Sequence, residues 1–147
     1  MKNIKPKLIR LFKKGYCTPQ IARIAKTIDE PSATIHYNIK KLENDGAIKT
    51  YKAVFDYNKI DEGFCVYVLI NISPDVYDTP IAEDLAKLEE VESAATIAGE
   101  WDVLLKIRTK NQDEYYDILK KHISKKGVIK TLTLTTLKDI KTNYVLL

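Results

Sequence analysis

Residues 64–72 read FCVYVLINI, and residues 101–109, 37 positions later, read WDVLLKIRT. Both are β-prone runs of strand length. The same offset aligns Ile81 with Ile118, Val91 with Val128 and Ile97 with Leu134. The chain beyond residue 63 therefore reads as one unit written twice. The first copy is a strand at 64–72, a helix at about 80–90 and a strand at 91–98. The second is a strand at 101–109, a helix at 112–126 and a strand at 128–137. Strand, helix and strand repeated in this way is βαββαβ, the ferredoxin-like arrangement.

The two helices carry their own signals. Thr79-Pro80 starts the first, with Ile81, Leu85 and Leu88 inward. Asn111 with Glu114 forms a capping box at the start of the second, and Tyr115, Ile118, Leu119, His122 and Ile123 make its stripe. On that stripe His122 is expected to be a packed histidine, not a ligand or base. Both helices should cover one sheet face. On 64–72, Phe64, Val66, Val68, Ile70 and Ile72 fill that face. The opposite face has Cys65, Tyr67 and Leu69 before reaching Asn71. It is too apolar for water, which predicts a covering subunit and an obligate dimer or larger assembly.

Upstream, three short amphipathic helices are expected. Pro6, Thr18-Pro19 and Glu30-Pro31 mark their starts, by proline early in the helix or by a cap residue followed by proline. The first shows Leu8, Leu11 and Phe12 and stops at Gly15. The second, about 19–27, shows Ile21, Ile24 and Ala25. Only about four residues separate it from the third, a spacing that suggests a helix-turn-helix. The third, within PSATIHYNIKKLENDG at 31–46, has the seam Ile35, Ile39 and Leu42. A β-prone run at 48–55 follows, as a wing would. The opposite face of the third helix carries Ser32, Ala33, Thr34, His36, Tyr37, Lys40 and Lys41. Small Ser32 and Ala33 allow close approach in a major groove, and His36 and Tyr37 offer hydrogen bonds to bases. Lys40, Lys41 and the later Lys49 and Lys52 suit phosphates.

Charge divides along the same boundary. Residues 1–60 hold 13 Lys/Arg against 5 Asp/Glu, whereas residues 61–147 hold 11 against 15. A basic module for a polyanion is thus joined to an acidic module with another task. The chain is 45% hydrophobic and 30% charged, and has no apolar run long enough to span a membrane. Its start lacks the pattern of a signal peptide, so a cytoplasmic location is expected. Cys17 and Cys65 read as packing residues, and two cysteines with two histidines give no metal-ligand cluster. No cofactor is expected.

The order of helix-turn-helix, polar linker and βαββαβ, with AGEWDVLLKIRTK at 98–110, resembles the Lrp/AsnC (feast/famine) family of transcription regulators. The resemblance covers nearly the whole chain. It implies an α+β protein with a winged helix-turn-helix domain at 1–55, a linker at 56–63 and a ferredoxin-like domain at 64–147 for effector binding and oligomerisation. It further implies binding to pseudo-palindromic double-stranded DNA as a homodimer or homo-octamer. An amino acid or related small metabolite would lodge between subunits of the C-terminal domain. The family's effector contacts carry over to Gly99, Glu100 and Asp102, and to Leu134, Thr135 and Thr136. Three positions depart from the family pattern. Asp29 stands where the turn usually has glycine, Asn38 where arginine is frequent, and Glu100 where the turn usually has aspartate.

Other readings are weaker. An RNA-recognition module would need its aromatic, basic signature on the third strand, and GFCVYVLI lies on the first. An enzyme reading has little support, since His36 and His122 belong to separate modules and the five glycines are all isolated, with no glycine-rich phosphate loop. The remaining alternative is a metabolite-binding regulatory protein with weak or lost DNA binding, for which Asp29 and Asn38 speak.

Overall fold

In a computed structural model that describes residues 1–142, 145 and 146, the chain divides between Val54 and Phe55 into two units. The first holds α1 (Lys5–Lys13), α2 (Ile21–Ile28) and α3 (Ser32–Asn44). Pro6 lies in the first turn of α1, as expected. The other two N-terminal proline signals are offset by two residues and by one. Gln20, not Thr18, precedes α2, and Pro31 itself, extended at φ −60° and ψ 142°, precedes α3. Between α2 and α3, Asp29 takes the left-handed conformation at φ 56° and ψ 49°, and the Glu30 N–H donates to the Ala25 carbonyl at 3.0 Å. This closes the turn with the small Ala25 buried beneath it.

Ala25 and Ile35 are the buried residues among these helices. The expected seam of α3 is therefore covered unevenly: Ile39 is half-buried and Leu42 stays 45% exposed. Three short helices enclose little volume, so the ends of each stripe project past the packing. Gly15, at φ +92°, sits where an added Cβ would collide with the Thr50 hydroxyl and the Tyr51 carbonyl. The run 48–55, expected to be a strand, is not one. A strand needs a ladder partner, and among the described residues this unit has none.

The second unit opens on a 3₁₀ turn, Tyr57–Ile60, within the stretch expected to be a linker; Asp56 accepts from the Asn58 N–H. Next come β1 (Phe64–Ile72), α4 (Asp78–Ala86), β2 (Val91–Thr96), β3 (Val103–Thr109), α5 (Gln112–Ile118) and β4 (Val128–Thr135). They form an antiparallel sheet in the order β2-β3-β1-β4, the ferredoxin-like topology. A short ladder of β5 (Lys141–Thr142) with β6 (Val145–Leu146) follows. Pro80 falls at the third position of α4, still inside the first turn, where helix N–H groups lack intrahelical partners. The Asn111 cap is present: its side chain accepts from the Glu114 N–H at 3.0 Å, and Glu114 reaches back to the Lys110 N–H at 2.9 Å.

The core lies between the helices and one sheet face. Val66, Val68, Ile70, Val103, Leu105 and Ile107 meet Leu85, Tyr115, Ile118 and Ile123, and the Tyr115 hydroxyl bonds to that of Thr133. Each such fully buried side chain stabilises by about 1.5–3 kcal/mol. One expectation fails here. Beyond Ile118 the helix widens into a π-turn, Leu119–Ile123. The wider turn keeps both Ile118 and Ile123 inward and turns His122 outward, so His122 is exposed and not packed.

Candidate nucleic-acid and effector sites

On α3 the buried Ile35 fixes which face turns outward, and Ser32, Ala33, Thr34, His36, Tyr37, Lys40 and Lys41 are all exposed there. Lys49, in the segment that follows, is exposed as well. Two of the polar side chains on α3 are partly committed. The Asn38 amide donates to the Thr34 carbonyl at 2.8 Å, one turn back, so it lies along its own helix. Lys40 lies 3.5 Å from Glu43, whose other oxygen accepts from the Tyr51 hydroxyl at 3.1 Å. Loss of water around the Tyr51 phenol, and after it that carboxylate, raise the phenol above its ordinary value. An exposed pair such as Lys40–Glu43 is worth at most about 0.5 kcal/mol, so a phosphate can displace it. Lys41 and Lys49 have no carboxylate partner among the described residues.

In the second unit the turn from β2 to β3 holds Gly99, Glu100, Trp101 and Asp102. Gly99 is at φ +130° with open space around it, and Glu100 is exposed. Asp102 is held tightly. Its carboxylate accepts from the Ile72 N–H at 2.7 Å, its N–H donates to the Ile70 carbonyl at 3.0 Å, and its carbonyl accepts from the Ile97 N–H at 2.9 Å. The residue thereby fastens the hairpin to the end of β1, with one carboxylate oxygen already engaged.

Leu134, Thr135 and Thr136 lie elsewhere. Leu134 pairs with Tyr67 and Thr135 with Val66, and the Thr136 N–H donates to the Cys65 carbonyl at 2.9 Å. At about 3.3 Å per residue, these positions are roughly 10–20 Å along β1 from the Asp102 contacts. Within one chain the two halves of the expected effector set are not brought together. What does stand by the turn is Lys130, whose ammonium lies 5.3 Å from the Trp101 ring centroid, and Asn71, its register partner. Among the described residues the buried carbonyl oxygen of the Asn71 side chain has no hydrogen-bond donor. Sequence reasoning passes over Lys130 and takes Asn71 only as the polar end of the outer face, although it is the one amide in an apolar strand.

The sheet face away from the helices is part apolar and part charged. Tyr67, Leu69, Leu104, Leu132 and Leu134 are partly exposed on it. Toward the start of β1 it becomes an ion network. Glu92 takes Arg108 at 3.1 Å, Lys106 at 3.2 Å and the Tyr57 hydroxyl at 3.1 Å, and Arg108 also pairs with Asp139 at 3.1 Å. Burial works against the Glu92 charge, but the Arg108 and Lys106 cations outweigh it and hold this carboxyl below its ordinary value. The Tyr57 phenol is pushed up to about 12, by burial first and the Glu92 charge second.

The Lrp/AsnC ligand binding domain model matches residues 65–146. A helix-turn-helix-type transcriptional regulator of Pyrococcus furiosus is 36% identical over 124 residues, 82% of this chain and 83% of its own. An AsnC family transcriptional regulator from Agrobacterium tumefaciens has a similar structure, with a TM-score of 0.76 at 22% identity over 99% of this chain and 96% of that one. A transcriptional regulator of Neisseria meningitidis solved as an L-Met complex has a TM-score of 0.72 at 20% identity, covering 97% and 93% of the two chains.

Proposed function

The chain belongs to the Lrp/AsnC family of transcriptional regulators, and from that premise we propose that it binds duplex DNA through α3 and answers to an amino acid or related metabolite. The observation that carries this reading is the exposed face of α3. Ile35 anchors the helix and seven residues able to meet bases or phosphate project from its other sides. Lys40, Lys41 and Lys49 take phosphates, while Ser32, Ala33, Thr34, His36 and Tyr37 meet bases.

Two copies of α3 in a dimer read half-sites about 34–36 Å apart on one face of the duplex. The copies associate through the open sheet face, where Tyr67, Leu69, Leu104, Leu132 and Leu134 leave an apolar surface that water does not favour. The effector lodges between subunits. Gly99, Glu100 and Asp102 of one copy supply backbone and carboxylates for an ammonium group. Leu134, Thr135 and Thr136, too far away within one chain, come from another copy. The Neisseria relative crystallised with L-Met supports an amino acid as the ligand class.

A metabolite-binding regulator without DNA binding is the competing reading. It is favoured by Asn38, folded back on Thr34, and by Lys40, paired with Glu43. A footprint on the gene's own upstream DNA, repeated with a panel of amino acids, separates the two. The expected result is paired protections one helical turn apart that change with one amino acid. If His36, Tyr37 and Lys41 can all be replaced by alanine without loss of DNA affinity, the role given to α3 is wrong.

A further inference from the structure

The second unit is segregated in charge within itself. Residues 61–117 hold 14 Asp/Glu and 4 Lys/Arg, whereas residues 118–138 hold six lysines and no acid. Four of those lysines, Lys120, Lys121, Lys125 and Lys126, surround the π-turn that closes α5, and all are exposed together with His122. The π-turn enlarges the cluster: by keeping Ile118 and Ile123 both buried, it turns His122 outward beside Lys120 and Lys121.

Their lack of close carboxylates separates them from the ion-paired lysines of the unit. Lys59, Lys87, Lys106 and Lys110 each lie within 2.9–3.9 Å of a carboxylate. Among the described residues Lys120, Lys121, Lys125 and Lys126 have none that near. Lys125 acts on Asp84 only through space, and Lys120 stands 5.5 Å from the Tyr116 ring centroid. The helix dipole favours cations in the last turn, which accounts for Lys120 and Lys121 but not for Lys125 and Lys126 beyond it.

We infer that this turn is a second, sequence-independent contact for the phosphates of duplex DNA, an inference that rests on the DNA-binding reading above. Exposed lysines on long side chains do not select a small anion. They do match a polymer with one negative charge per about 1.7 Å of axis, from which each phosphate neutralised releases a counterion. The acidic face of a second copy is the other occupant that charge allows. It is the poorer match, because a folded surface offers scattered carboxylates, whereas duplex DNA offers a regular row of phosphates. The first unit repeats the pattern, since Lys41, Lys49 and Lys52 are likewise exposed without carboxylate partners among the described residues.

The test compares the full chain with the quadruple variant Lys120→Gln, Lys121→Gln, Lys125→Gln and Lys126→Gln. A control replaces the paired lysines Lys59, Lys87 and Lys110 by Gln. Binding to a duplex of about 150 bp, with and without the upstream sequence, is followed against salt concentration. The quadruple variant should bind both duplexes about tenfold or more weakly, with a salt slope shallower by about 0.9 for each phosphate no longer neutralised. The control should follow the wild type. Unchanged affinity and slope in the quadruple variant overturn the inference while leaving DNA binding by α3 intact. A smaller assembly in sedimentation would overturn it in favour of an interface between copies. If the wild type itself retains neither duplex, the DNA-binding reading falls and this inference with it.

Discussion

The Arg108 guanidinium lies over the Tyr57 ring, its central carbon 3.8 Å from the ring centroid. The arginine is 5% exposed, yet three further groups reach it: Glu92 on β2, Asp139 after β4 and, through Glu92, the Tyr57 hydroxyl. One buried cation thus ties together the start of the second unit, its sheet edge and the segment between β4 and β5. Planar stacking with two separate carboxylates is a task for arginine and not for lysine.

Removing the Tyr57 ring should therefore cost more than removing its hydroxyl. Tyr57→Phe keeps the stacking and loses the bond to Glu92, which should lower stability by about 1 kcal/mol. Tyr57→Ala loses both and uncovers Arg108, for about 2–3 kcal/mol. Urea unfolding of the two variants measures the difference. Equal destabilisation would show that the stacking contributes nothing.

The same network predicts how stability changes with pH. The Glu92 carboxyl is held below its ordinary value by Arg108 and Lys106 against the effect of burial. Its contribution is therefore complete above the unfolded value of about 4.3 and is lost as pH falls through the lower folded one. The Tyr57 phenol, pushed up to about 12, contributes fully below its unfolded value of about 10, and that part is lost as pH rises from there toward 12. Melting of Glu92→Gln should start lower at pH 7 and fall less steeply than wild type below pH about 4.3. Parallel acid limbs in the two proteins would remove Glu92 from the account.

Asp102 is expected to matter for folding before it matters for any ligand. Asp102→Ala leaves the Ile72 N–H without its 2.7 Å acceptor, a destabilisation of about 1–3 kcal/mol. Asp102→Asn retains an acceptor oxygen and should stay close to wild type in stability while losing the negative charge. Amino-acid binding by the asparagine variant then reports on the charge alone. If Asp102→Ala melts with the wild type, the hairpin does not depend on this bond.

How much of the fold and of the site is legible in the sequence depends on how local the cause is. The strand Phe64–Ile72 appears over its full expected extent, because nine consecutive residues carry the β signal. The capping box at Asn111 is equally local and is present. The helix starts near Pro19 and Pro31 lie two residues and one residue from their expected places, since proline marks an early turn without saying which residue caps it. The turn at Gly99–Asp102 and the residues Leu134–Thr136 form one expected set, but strand register sets their separation and no short motif encodes it. The Arg108 network is invisible in the sequence because Tyr57, Glu92, Arg108 and Asp139 are far apart along the chain. Each reads singly as an exposed polar side chain.

Asp29 offers a local test in the first unit. At φ 56° it occupies a conformation that costs most side chains about 1–2 kcal/mol, aspartate less, and glycine nothing. Asp29→Gly should raise the stability of the helical unit by a few tenths to about 1 kcal/mol, and the β-branched Asp29→Val should lower it by more than about 1 kcal/mol. Helical circular dichroism during thermal unfolding measures both. A glycine variant less stable than wild type would mean that the aspartate side chain contributes to the turn.

The π-turn at Leu119–Ile123 also acts as a phase adjuster. One extra residue in an ordinary helix would rotate everything after it by about 100° and bring Gly127 and β4 to the sheet out of step. Here the surplus is absorbed in a single wide turn. The Ser73 N–H still donates to the Gly127 carbonyl at 2.7 Å, and β4 pairs with β1 with a single register shift, at Asn71/Ile72. Deleting one residue between Leu119 and His122 should let the helix run on as a plain α-helix. Ile123 would then stand four residues after Ile118 and stay in the core without the bulge, whereas a plain α-helix through the undeleted sequence would put His122 there, so the width of this one turn sets which chemistry this end of the molecule presents.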